Sequence, residues 1–215
     1  MDILKLHGVI IKSADYSEFD RRLTLLTIER GKITVFARNV KRPGNKLMAS
    51  TEPFVFGTFL LTEGRSAYNL RDTEISNYFE DIRKNLDAFY LGSYFLEFAD
   101  YYSRENVEDR PLISLIYSSL LALLRGDFEN ELIRAVFEIK IISIEGELPL
   151  LPREKEEIPG LKHTIGFIVD TEPEKLFTFK LSAKLLSELT DAALYFRQRA
   201  VRHDFSSLQI MDQLF

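Results

Sequence analysis

From Leu4 to Ile75 the chain alternates apolar and polar residues in short runs, the signature of half-buried strands. Leu4–Lys12 predicts a first strand, Leu23–Ile28 a second and Ile33–Arg38 a third. In the third, Ile33, Val35 and Ala37 alternate with Thr34, Phe36 and Arg38. Glu29-Arg30-Gly31-Lys32 reads as a tight turn joining strands two and three, with Gly31 able to take positive φ. Polar Ala14–Arg22 reads as a connection, and Pro43-Gly44-Asn45 as turn chemistry in a mobile surface loop. Phe54–Leu61 and Tyr68–Ile75 complete the set, separated by a turn at Glu63-Gly64-Arg65. Five strands in this length predict a small closed barrel, for which the OB-fold is the common solution.

From Asn77 the apolar period lengthens to that of helices. Asn77 to Glu80 has capping-box spacing and predicts a helix over Tyr78–Ser103. Asp109 opens a second helix, with Pro111 in its first turn and Gly126 as its stop. Asp127 opens a third, ending at Gly146. Pro149–Gly160 holds three prolines and a charge run, so it reads as a linker. His163–Asp170 and Leu176–Lys180 read as a short hairpin. Ser182 caps a helix to Val201, and Ser206–Gln209 opens a last helix to Leu214. The fold class expected is α+β: a five-stranded OB-fold barrel over 1–76, then a helical domain over 77–215 with a small β-hairpin insertion. Within that domain the bundle spans 77–148, the linker and hairpin 149–181 and the C-terminal helices 182–215.

Charge changes this picture more than composition does. The chain is acidic overall, with a net charge of −5, yet residues 1–80 hold 12 Lys+Arg against 10 Asp+Glu, and the remainder 16 against 23. Arg30–Thr51 carries six cations (Arg30, Lys32, Arg38, Lys41, Arg42 and Lys46) and no acid. A strand feeding a basic loop suits a groove that follows phosphates; a solvated hairpin whose charges serve solubility is the plain alternative. Phe36, on the outer side with Arg38, is the aromatic best placed to stack on a base. With no cysteine there are no disulfides or thiolate metal sites, which fits a reducing cytoplasm. No apolar run is long enough for a membrane span, and the first residues lack a secretory pattern. Phosphate-loop, dinucleotide and zincin motifs are absent, so a non-enzymatic protein without cofactors is expected.

The layout resembles the RecO family of bacterial DNA repair and recombination mediators. The residues carrying the resemblance are Gly8–Lys12 (GVIIK), Tyr16–Thr27 (YSEFDRRLTLLT), Glu29–Lys32 (ERGK), Ala37–Pro43 (ARNVKRP), Glu52–Phe54 (EPF), Leu70–Ile75 (LRDTEI) and Arg134–Pro149 (RAVFEIKIISIEGELP). The resemblance implies binding of single- and double-stranded DNA by the barrel and annealing of complementary strands. It also implies a bundle docked on the acidic tail of single-stranded DNA-binding protein, and work with RecR to load a recombinase. Lys32, Arg38, Lys41 and Arg42 match the family's basic positions; Lys46 shares their loop, and Arg21, Arg22 and Arg65 extend the surface. Arg197, Arg199 and Arg202 form a possible second DNA contact, and Arg134 and Lys140 are the cations nearest a possible partner-tail pocket. Many family members follow the Gly-x-x-Pro turn with four cysteines that hold zinc. Gly146 to Pro149 here precedes no cysteine, so no structural zinc is expected, the hairpin standing in its place. A generic RNA-binding OB protein and a protein-binding scaffold are the rival readings.

Overall fold

The computed structural model describes residues 2–214, with Asp212 and Leu214 described in backbone only. The chain divides into two compact units: Met1–Glu80 with Leu96–Ile113, and Asp81–Phe95 with Ser114–Phe215.

In the first unit, β1 (Leu4–Asp15), β2 (Arg21–Thr27), β3 (Gly31–Ala37), β4 (Phe56–Glu63) and β5 (Tyr68–Asn77) close a barrel in the order β1-β2-β3-β5-β4. This is the OB-type barrel that the alternation predicts. Inward positions are apolar and buried: Leu6, Ile10, Leu23, Leu25, Ile33, Val35, Phe59 and Leu61 form one core. Burying each such side chain contributes roughly 1.5–3 kcal/mol, which fixes which face of every strand turns inward. The connection expected at Ala14–Arg22 is shorter than the polarity suggested. Lys12–Asp15 pairs with Arg21–Thr24 beyond a bulge at Ile10/Lys12: the core-facing positions of β1 have run out, but Leu23 of β2 still faces the core, and ladder hydrogen bonds carry β1 along with it.

Gly31 takes φ +60° at the β2–β3 turn, and a Cβ there would lie 2.1 Å from the Arg104 carbonyl oxygen. Only glycine allows this approach. Through it the Ser103–Asp109 segment docks, with Lys32 N–H donating to Arg104 O at 3.0 Å and Asn106 N–H to Arg30 O at 2.9 Å.

The second unit takes its helices from α1 (Leu86–Tyr102, whose end belongs to the first unit), α2 (Arg110–Arg125, whose start belongs to the first unit), α3 (Asn130–Ile144), α4 (Arg153–Glu156), α5 (Leu161–Asp170), α6 (Ala183–Ala200) and α7 (Ser206–Leu214). α3 is buried from Leu132 to Ile142 apart from Arg134 and packs against α5 and α6. Phe95 and Phe137 stack with centroids 4.1 Å apart.

Two sequence expectations are corrected. The helix expected from Tyr78 begins at Leu86. Asn77 Oδ1 accepts the Phe79 N–H at 2.8 Å, closing a local turn, whereas Asn85 Oδ1 accepts the Ala88 N–H at 3.0 Å as the true cap. The hairpin insertion is absent: His163–Asp170 lies in α5, and Pro173–Lys175 is a 3₁₀ turn. Buried Leu161, Thr164, Ile165 and Ile168 follow helical spacing, which outweighs the strand preference of a β-branched run.

Candidate nucleic-acid interface

The outer face of β2 and β3 carries the cluster. Arg22 pairs across the ladder with Phe36, so the two side chains share one face. Tyr16, 58% exposed, packs on Phe36 with centroids 4.7 Å apart, and the Arg38 guanidinium lies 5.9 Å from the Phe36 ring centre. Two exposed cations thus flank a half-open aromatic pair, the composition of a platform on which bases stack while phosphates are neutralised. Phe54, Phe56 and Phe59 are buried in contrast.

The loop after β3 is tied down rather than loose. Lys41 N–H donates to Phe19 O at 3.0 Å, Asn39 N–H to the Asp20 carboxylate at 2.7 Å and Asn45 Nδ2 to Asn39 O at 3.1 Å. These bonds bring the Tyr16–Asp20 connection against the loop, and the acids at its two ends, Asp15 closing β1 and Asp20 before β2, engage the loop's cations. Lys41 Nζ lies 2.7 Å from Asp15, and Arg38 lies 3.5 Å from Asp20. The Lys41 hydrogen bond, with the charges of Lys41 and Arg21, holds the Asp15 carboxyl below the ordinary carboxylate range. Asp20 is likewise lowered, first by the Asn39 N–H, then by Ser17, Arg38 and Arg42. Arg42 lies exposed over the Phe19 ring at 5.3 Å, and Lys46 is exposed with no hydrogen bond or ion pair of its side chain among the described residues.

Two nominated cations are held in the framework. Arg21, whose side chain is 14% exposed, meets Glu52 at 2.6 Å and Thr51 at 2.9 Å. Lys32 donates to the Asp100 carbonyl at 2.7 Å and pairs with its carboxylate at 3.2 Å. Arg65 lies exposed on the β4–β5 connection, beside a cavity of about 230 Å³. Sequence reasoning missed Tyr16 and the counter-charges Asp15, Glu52 and Asp100; an exposed aromatic in a polar connection was the available signal for the first.

In the helical unit, Arg197 lies 3.4 Å from buried Glu138, Arg199 over Tyr195 at 4.7 Å, and Arg202 is exposed beyond the helix end. Arg134 reaches Glu138 at 2.9 Å and also lines a cavity of about 290 Å³ with Asp87, Leu91, Asn130, Glu131 and Met211. Lys140 is turned inward away from that cavity. It is buried and donates to Val169 O at 2.7 Å, and burial lowers its pKa. No described helix is long and apolar enough to cross a membrane. Among the described residues no group of three or more His, Cys, Asp or Glu is placed to hold a metal.

The family profile "Recombination protein O N terminal" matches residues 1–79, the span of the barrel. A protein named DNA repair protein RecO from Exiguobacterium sp. is 26% identical over 215 residues, covering 97% of this chain and 84% of the relative. Another so named, from Acetivibrio thermocellus, is 24% identical across 100% of this chain and 98% of the relative. A third, from Desulforamulus reducens, is 32% identical over 149 residues, 69% of this chain and 57% of its own length. The chain belongs to the RecO family. The barrel of this RecO-family chain therefore coincides with the segment that the family profile describes, and its cation–aromatic face lies within that segment.

Proposed function

We propose that this chain is a non-enzymatic, DNA-binding recombination mediator of DNA repair. Strands lie across the outer face of β2 and β3, and the protein anneals complementary strands. The observation that carries the reading is the Tyr16–Phe36 pair flanked by Arg22 and Arg38. Stacking on Phe36 and Tyr16 holds bases without reading their sequence, and the arginines neutralise adjacent phosphates. Annealing follows because two polyanions approach only where counter-charge screens them. Asp15 and Asp20 orient Lys41 and Arg38 in the unbound protein; a phosphate takes their place or shares the cation on binding. Work in the cytoplasm with RecR and single-stranded DNA-binding protein belongs to the same proposal. For the acidic tail of the latter, the Arg134 cavity offers apolar Leu91 and Met211, but Asp87 and Glu131 line it too. An acidic tail meets repulsion there, so the tail is assigned to no particular residues.

The test is single-strand binding across a salt series. Four contributing cations, Arg22, Arg38, Arg42 and Lys46, give a slope of log K against log salt of about −3. Reversing Arg22, Arg38 and Arg42 to Glu abolishes binding and annealing with the circular dichroism of the folded chain intact. A flat salt dependence, or full binding by the triple variant, overturns the proposal. Tighter binding to RNA than to DNA of the same sequence favours the RNA-binding rival instead.

A further inference from the structure

β3 and β5 pair in parallel at only two positions, Val35 with Tyr68 and Phe36 with Asn69. Where that pairing gives out, towards the start of β3, a cavity of about 230 Å³ opens, lined among others by Ile33, Thr34, Arg65, Tyr68, Glu105 and Asn106. All of these belong to the barrel unit. Thr34 lies two residues from Phe36 on the same outward side of β3, about 7 Å along the strand. A nucleotide chain that stacks one base on Phe36 thus brings a neighbouring base to the cavity mouth.

Size and charge narrow the occupant. Pockets for drug-sized ligands run about 300–1,000 Å³, so this cavity has room for a ring system and not for a whole nucleotide. Ile33 and Tyr68 supply apolar wall, as a planar heterocycle needs. The Glu105 carboxylate has no side-chain partner among the described residues. Glu63, also at the cavity, is only loosely paired with Arg30 at 3.9 Å. Two carboxylates repel a phosphate and accept hydrogen bonds from a base edge, since an ionised carboxylate is an acceptor only. Arg65, exposed beside them with no side-chain partner of its own, is available for the phosphate that stays outside.

Resting on the nucleic-acid reading of the Phe36 face, we propose that the cavity takes one base of a single strand, and that it favours guanine. Guanine presents two adjacent donors, N1–H and the N2 amino group, which a carboxylate accepts together. Adenine and cytosine each set an acceptor beside their amino group, and thymine sets its one N–H between two carbonyls. Each of these turns a lone pair towards Glu105. Recognition of the unstacked base's pairing edge, beside an aromatic platform, is the mode by which single strands are read.

The experiment uses the full chain and fluorescence polarisation with three 20-mers: oligo-dT, the same strand with one central dG, and the same strand with deoxyinosine in its place. The dG strand binds at least about fivefold more tightly than oligo-dT, the low end of what a bidentate base contact supplies. Deoxyinosine, which lacks the N2 amino group, loses most of that gain. In Glu105→Gln the ratio of dG to dT affinity falls to near one. Ser66→Tyr, which adds bulk at an exposed loop position beside the cavity, lowers the ratio in the same way. Equal binding of all three strands with the expected salt slope, or a full ratio in Glu105→Gln, overturns the base pocket and leaves the β2–β3 interface standing. Absence of salt-dependent binding to any strand overturns the interface and the pocket with it.

Discussion

Both units bind arginines with carboxylates, but they do so in opposite settings. In the helical unit Glu138 is 2% exposed and gathers the Tyr94 hydroxyl at 2.7 Å, Arg134 at 2.9 Å and Arg197 at 3.4 Å. In the barrel unit Asp15 is 66% exposed in its side chain, and it holds Lys41 at the surface. A buried carboxylate stripped of water depends on its partners, and its partners cannot be drawn away without leaving a buried charge. An exposed one exchanges its partner for water or another anion at little cost. Arginines of the first kind are structural; cations of the second kind remain on offer to a phosphate. An ion pair in a static structure therefore does not disqualify a cation as a DNA contact until the burial of its carboxylate is known.

The largest expected effect attacks the buried side of this contrast. Glu138→Ala leaves two guanidinium groups and the Tyr94 hydroxyl without their shared acceptor, and destabilises the helical unit by about 3 kcal/mol. Chemical denaturation followed by circular dichroism measures it. A loss below about 1 kcal/mol means that water replaces the carboxylate, and the contrast between the units dissolves.

Next in size is Phe36→Ala. Removing a stacking ring costs about 1–3 kcal/mol per base, roughly a fivefold or larger loss of single-strand affinity. Because the electrostatic contribution is untouched, the salt slope stays as in the parent. A change in slope with unchanged affinity at low salt is the result that contradicts this assignment. The exposed side of the contrast is tested by Asp15→Asn. Freed of its carboxylate, Lys41 attracts phosphate more strongly. Single-strand affinity rises about three- to fivefold at low salt, and the gain shrinks as salt screens it. Unchanged or weaker binding shows that the carboxylate positions the lysine and does not compete for it.

The barrel was legible because a period of two, repeated over five short runs, admits one inward face per strand; Ile33, Val35 and Ala37 turned inward where the alternation put them. The α5 segment was not, because Thr164, Ile165, Ile168 and Val169 carry strand preference and helical spacing at once, and packing decided for the helix. The cations of the basic loop were legible as charges, and their neutralisers were not. Arg30–Thr51 contains no acid; Asp15 and Asp20 arrive through β1–β2–β3 pairing and Asp100 from a helix far along the chain. Local sequence reports the sign of a segment's charge, and tertiary pairing decides how much of it faces solvent.

Asp100 lies between the two extremes and gives the smallest and finest test. Its side chain is 24% exposed and bridges Lys12 at 2.7 Å and Lys32 at 3.2 Å. Burial pushes its pKa up, but the lysine hydrogen bonds and charges outweigh burial, and the net shift is below the ordinary carboxylate value. A carboxyl whose folded pKa is depressed stabilises the fold above its unfolded pKa, near 4, and loses that contribution as pH falls through the folded value. Asp100→Asn therefore costs about 1 kcal/mol at neutral pH, and its stability curve converges with that of the parent as pH drops below about 4. Thermal denaturation of both proteins between pH 7 and pH 3 reads the convergence. A gap that persists unchanged at the acid end assigns the Asp100 contribution to neutral hydrogen bonding, and places this carboxylate with Glu138 as framework instead of midway between the two units' habits.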